Sequence, residues 1–210
     1  MSVHPMLERE EHVAQAIRWC GISVAWAAIV GATAVIAGLA AGAIALVGFG
    51  ADSLTDGLAS VVLVWRFGHE RAGRGNVELI ELRAARVIGA ILIAIGMYVS
   101  IGAIAALAAH SRPNRSPVGL ALTTASVFVL PVLARAKLRL ADAVQSTALR
   151  GDAILSLAGA VLAAVTLASL VLDAALGWWW SDAVAALLIA TVLLREGWRT
   201  AHQQRSPTAA

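Results

Sequence analysis

Runs of about twenty apolar residues follow one another along almost the whole chain, and this repetition decides what it can fold into. A helix needs roughly 20 apolar residues to cross a hydrocarbon core about 30 Å thick. Six such runs can be marked, at 17–39, 43–65, 87–109, 118–133, 156–176 and 181–194. The fifth is expected to begin as a helix earlier, near Ala143, and to enter the hydrocarbon only after Arg150. Only 14% of the 210 residues are charged and 60% are hydrophobic, whereas a soluble domain carries roughly 25% charged residues. The solvent for this chain is therefore lipid, and inside lipid the backbone must satisfy its own polar groups. The expected fold is all-α, a polytopic six-transmembrane-helix bundle. Gly38, Gly42, Gly89, Gly96, Gly102 and Gly159 fall within or beside the runs. Small residues let membrane helices approach closely, so they predict tight packing rather than sites.

The basic residues orient the bundle. Of 16 Lys and Arg, 14 fall on the N-terminal tail, the second-to-third and fourth-to-fifth connections and the C-terminal tail; only Arg112 and Arg115 fall on the other side. By the positive-inside rule both termini are cytoplasmic. That distribution accounts for the pI near 10 without a nucleic-acid partner. The expected organisation is a cytoplasmic tail at 1–16, a six-helix membrane domain at 17–195, and a short cytoplasmic tail at 196–210 with no soluble C-terminal domain. The first run lacks the short apolar core and cleavage site of a signal peptide, so it is expected to be retained. No organelle-type address stands out, and the cell (plasma) membrane is the expected location. Gly73-Arg74-Gly75-Asn76 breaks the second-to-third connection, after which residues 77–86 resume as a polar helical approach to the third run. Trp178-Trp179-Trp180 lies between the fifth and sixth runs as an interfacial anchor.

Within this apolar background Asp52 and Asp56 stand four residues apart in ALVGFGADSLTDGLAS. A carboxylate at bilayer depth costs at least a few kcal/mol, so an intramembrane pair points to a use. The i, i+4 spacing stacks them on one helical face, where their oxygens converge on one cation. Counted back from Arg66 they lie at roughly 15–21 Å of helical rise, near mid-bilayer. Asp152, with Ser156 one turn on and Gly159 continuing the same face, is expected just inside the cytoplasmic end of the fifth run. There it would face a vestibule leading to the pair. Carboxylate and hydroxyl oxygens are hard ligands for divalent cations. Two close aspartates cannot both stay charged cheaply, so metal binding would expel protons and protonation would release metal. The expected metal site is Asp52, Asp56, Asp152 and Ser156. The competing reading makes the aspartate pair a structural lock onto Ser/Thr hydroxyls or an arginine, and Asp152 a partner of Arg150.

Other polar residues read more plainly. Asp182 caps the sixth span, His69 and His110 are loop histidines, and Cys20 is a small apolar residue near a helix start. With no Gly-rich phosphate loop, no HExxH and no nucleophile beside a base, the chain is not expected to be an enzyme or to hold an organic cofactor.

Taken in order, these features resemble the transmembrane domain of the cation diffusion facilitator family. Asp52 and Asp56 match that family's acidic pair in span two, Phe67-Gly68-His69-Glu70 resembles the turn that follows it, and GWWWSDAVAALLIATVLLREGWR resembles its last span. The resemblance runs from about residue 15 to 200. It implies a divalent cation transporter for zinc-like efflux, working by proton antiport, with divalent cation and protons as partners in the bilayer and a homodimer as the assembly. Zinc is the first candidate cargo, with manganese, cadmium and cobalt beside it. One departure is plain. Where span five of that family reads AD and then HxxxD, this chain has Gly151-Asp152 followed by Leu155 and Gly159. Asp152, Ser156 or water would have to complete the shell. A non-transporting metal-binding sensor or subunit, and a proton-linked carrier of another small cation, are the alternatives.

Overall fold

The computed structural model describes residues 4–71 and 77–202, and these form six α helices with no strand among them. They are α1 (His4–Ala41), α2 (Ile44–Arg71), α3 (Val77–Ala108), α4 (Pro117–Val144), α5 (Thr147–Leu176) and α6 (Ser181–His202). The first five are long and apolar enough to cross a membrane. The sixth carries Asp182, Arg195, Glu196 and Arg199 within its 22 residues and falls short of that standard.

Three antiparallel pairs build the bundle, α1 with α2, α3 with α6 and α4 with α5, and α2 touches α3, α5 and α6 as well as α1. Glycines set the closeness. A side chain on Gly50 would meet the Gly31 carbonyl oxygen at 2.8 Å, and one on Gly89 would meet the Gly197 carbonyl at 2.8 Å. Backbone cannot move aside as a side chain can, so neither position has room for a Cβ, as small-residue packing in lipid requires. Outward, Ile29, Ile36, Ile101 and Phe128 stand exposed, the apolar surface that a lipid solvent favours. Ser and Thr hydroxyls at Thr33, Thr55, Ser100, Thr166 and Thr191 bond the carbonyl four residues back, which satisfies them without a partner helix.

The connections show how chain reversal is achieved. α1 ends at Gly42, whose φ of 69° suits a residue without Cβ, and the Ala43 amide donates to the Gly38 carbonyl at 2.9 Å, a Schellman closure. α2 then begins with first-turn amides that no carbonyl of its own helix can serve. Asp182 supplies their acceptor: Ile44 N–H donates to its Oδ2 at 2.8 Å and Ala45 N–H to its Oδ1 at 3.3 Å. The expectation that Asp182 caps its own helix is corrected here. Its carboxylate closes the start of α2, 138 residues away in sequence, where the buried amides and the positive end of the helix dipole both attract an anion. Asp182→Ala is expected to lower stability by about 1–2 kcal/mol, read as a lower Tm of the purified protein in detergent, with Asp182→Asn recovering part of the loss.

The fourth span differs from expectation. The run at 118–133 predicts a basic loop beyond it, yet α4 continues to Val144 and carries Arg135, Lys137 and Arg139 within the helix. Pro131 lies inside it without ending it. Ser116 caps its start by accepting from the Gly119 amide at 3.0 Å, with Pro117 at the first helical position, where a missing N–H costs nothing. The link to α5 is only Gln145, left-handed at φ 54°, and Ser146, which accepts from the Leu149 amide at 3.2 Å. The fifth helix therefore starts at Thr147, not near Ala143, which belongs to α4.

The helical approach of residues 77–86 to the third run is present, as the first part of α3. Phe67-Gly68-His69-Glu70 is helical, part of α2 rather than a turn; Gly73–Asn76 and the end of the chain lie outside the described residues. At the opposite end of the bundle Gly177 closes α5 at φ 66°. Trp178 and Trp180 stack at 5.2 Å, and Trp179 lies 4.6 Å from the His110 ring. That contact joins the α5–α6 connection to the α3–α4 loop.

Candidate functional site

On α2, Asp52, Asp56 and Ser60 follow one another at i, i+4 and i+8, and so share one face. On α5, Asp152, Ser156 and Gly159, at i, i+4 and i+7, also share one face, and because the helices run antiparallel the two rows meet rung by rung. Ser60 Oγ donates to Asp152 Oδ1 at 2.7 Å. Ser156 Oγ lies 3.3 Å from Asp56 Oδ2 and donates to it. Asp52 faces Gly159, where a Cβ would stand 3.8 Å from its Oδ2, an ordinary contact. The shared face predicted for Asp152, Ser156 and Gly159 thus exists, and it lies against the aspartate pair.

Lys137 completes the lowest rung. Its side chain is 0% exposed, and its ammonium pairs with Asp152 Oδ2 at 2.6 Å. It also donates to Ser156 Oγ at 3.0 Å and to Ser60 Oγ at 3.4 Å. Cys20, buried on α1, directs its thiol to Asp152 Oδ2 at 3.9 Å. Asp152 is therefore no partner of Arg150. Arg150 instead reaches Asp142, both side chains more than half exposed. Nor is Asp152 a free carboxylate, since both its oxygens are occupied.

Asp56 is in a different condition. Its Oδ2 receives Ser156, while its Oδ1 is buried without a hydrogen-bond partner among the described residues. Buried oxygens of this kind are uncommon and call for an explanation. Asp52, Asp56, Thr55 and Ala59 line a cavity of about 220 Å³ whose other walls come from α3, α5 and α6. It runs along α6 to Glu196 and Thr200, and Glu196 is itself held by Arg199 at 3.0 Å. Leu155 lines it and Asp152 does not. The further carboxylate lining the cavity is Glu196; Asp152, expected beside the pair's vestibule, does not line it.

The set can do limited chemistry. Two carboxylates bordering a cavity, one of them bonded by the Ser156 hydroxyl, can hold one small cation, but among the described residues no three His, Cys, Asp or Glu side chains come together as a ready metal cluster. The structure brings Asp56 to Ser156, sets Asp52 opposite Gly159, and commits Asp152 to Lys137.

Sequence reasoning does not reach Lys137, Ser60 or Glu196. Lys137 reads as one loop charge among several, yet it lies on the stripe Leu130, Leu133, Ala134, Lys137, Leu140, Ala141 and Val144, all buried. That 3–4 spacing is the mark of a core-facing helix position, and Arg135 and Arg139, off the stripe, are exposed. Ser60 continues the aspartate ladder by one turn, a signal that was present in the spacing. No family model matches the chain.

Proposed function

We propose that the chain is a carrier for a divalent metal cation, zinc-like, which it moves across the membrane in exchange for protons, with Asp52 and Asp56 as the primary ligands. The observation that carries this reading is the bare, buried Oδ1 of Asp56, a residue that lines one cavity together with Asp52. An anion in lipid without a partner is costly, and a cation in that cavity would offset the cost. Charge supports a divalent cargo. Asp152 is balanced by Lys137 and Glu196 by Arg199, which leaves the two negative charges of Asp52 and Asp56 for the cargo to balance. Ser156 would act as a further ligand. Asp152 would serve at one remove, holding Lys137 beside the site.

In this reading α6 is the sixth span. It runs antiparallel to α3 along its length, with Gly96 against Leu194 and Gly89 against Gly197, and so shares its depth. The basic end of the bundle, with both termini, would be cytoplasmic, and the Glu196 cavity would be the inward access path. The cell membrane and a homodimer remain part of the proposal. A non-transporting sensor or subunit is the second reading, favoured by the neutralisation of Asp152 by Lys137 and by the apolar Leu155 and absent side chain at Gly159.

Metal-dependent stability is the direct test. At a hundred times its Kd, a cation bound only by the folded protein stabilises by about 2.7 kcal/mol, so Zn²⁺ or Mn²⁺ should raise the Tm by several degrees. Leu155→His with Gly159→Asp, which adds donors on the α5 wall, should enlarge that rise. No shift with any divalent cation in a folded sample would remove the reading.

A further inference from the structure

Lys137 has no place in the metal site as proposed, yet its ammonium is fully buried. Such a charge is costly, and apolar residues would ordinarily fill the same space more cheaply than an ion pair. Its position suggests what it is kept for. From Asp152 it reaches Ser156 Oγ at 3.0 Å, and that same hydroxyl reaches Asp56 Oδ2 at 3.3 Å. Ser156 Oγ accepts from Lys137, so its single proton is left to donate, and Asp56 Oδ2 and the Asp152 carbonyl at 3.2 Å both stand within reach. One hydroxyl thus couples the ammonium to the carboxylate that also has a bare oxygen. A lysine carries a compact point charge and three rotatable donors, so the ammonium pairs with Asp152 and bonds Ser156 at the same time.

We infer that Lys137 is a resident counter-ion that competes with the cargo: held on Asp152 and linked to Asp56 through Ser156, its ammonium sets a positive charge beside the carboxylate that an arriving cation must share. This rests on the proposed function and adds to it the device that releases the cargo. No bond is made or broken; the ammonium stays on Asp152 and acts on Asp56 by its charge alone. Lys137 is a positioning residue in this scheme, since it need not touch the cation. The carboxylate pair would otherwise bind a divalent ion tightly at both faces of the membrane, and a carrier that holds its cargo too well turns over slowly. The resident charge weakens the loaded state and stabilises the empty one, which makes release faster.

The test uses the full chain purified in detergent and reconstituted in vesicles, with Zn²⁺ and Mn²⁺ as probes. Lys137→Gln alone strands Asp152 and can fail to fold, so the informative variant is Lys137→Gln with Asp152→Asn, which removes both charges together and leaves hydrogen-bonding side chains in their place. Calorimetric titration should show the double variant binding Zn²⁺ or Mn²⁺ on the order of tenfold more tightly than wild type. Vesicle uptake should show KM falling with it and turnover falling as well. Unchanged or weaker binding by a folded double variant overturns the inference and leaves Lys137 as the structural partner of Asp152, while the proposed function stands on the wild-type titration. If wild type itself binds neither probe, the proposed function fails and this inference falls with it.

Discussion

Lys137→Met is expected to cost about 3–5 kcal/mol of stability, enough to lose much of the folded protein, because it leaves the Asp152 carboxylate charged and unpaired at 5% exposure. The Ser60 hydroxyl at 2.7 Å cannot carry that charge alone, and the Cys20 thiol is a weak donor. Asp152→Leu alone should be as damaging, since it strands the ammonium instead. Changing both partners at once, Lys137→Met together with Asp152→Leu, should restore stability to within about 1 kcal/mol of wild type or exceed it, because neither desolvation penalty remains. Thermal unfolding of the four proteins in one detergent closes a double-mutant cycle, and its coupling energy measures the pair. A single variant as stable as wild type would mean that the contact is not an ion pair at all.

Asp56→Asn should separate stability from activity in the opposite way. The amide has the shape of the carboxylate and no charge, so it relieves the burial of an anion with a bare Oδ1. In the absence of metal the variant should be at least as stable as wild type. Cation uptake should nevertheless fall by roughly a hundredfold or more, since losing even a residue that only supports a metal ligand costs about 10–100-fold. Asp52→Asn should act in the same direction. Stability gained where activity is lost is the usual mark of a site that folding tolerates at a cost. Wild-type uptake by either variant would return the aspartates to the role of a helix lock.

The helices are legible in the sequence because hydrophobic runs of bilayer length leave few options, and the shared face of Asp52 and Asp56 on α2 follows from their spacing alone. Gly38, Gly89 and Gly96 sit at close helix contacts, the packing role that small residues in lipid predict. Four features are hidden from the sequence, each for a physical reason. The reach of α4 is obscured because Arg135, Lys137 and Arg139 together look like a loop, although a helix can turn two of them outward while Lys137 belongs to the buried stripe. The nearest cation to Asp152 along the chain is Arg150, while the partner it takes lies on the neighbouring helix, and sequence distance says little about such pairs. Asp182 suggests a cap for its own helix because local capping is the common case; that its carboxylate closes α2 follows from how α6 packs against the start of α2, which only the fold reveals. The opposition of Asp52 to Gly159 likewise depends on the register between α2 and α5.

We propose that a cation occupies the cavity at Asp52 and Asp56 and crosses the membrane from there. Uptake of zinc, manganese and cadmium into proteoliposomes bearing an imposed proton gradient, with Asp52→Asn as the control, tests it most directly. Gradient-dependent flux of at least one metal in wild type, lost in the variant, is the predicted result. Folded wild-type protein that moves none of the three under either direction of gradient would contradict it.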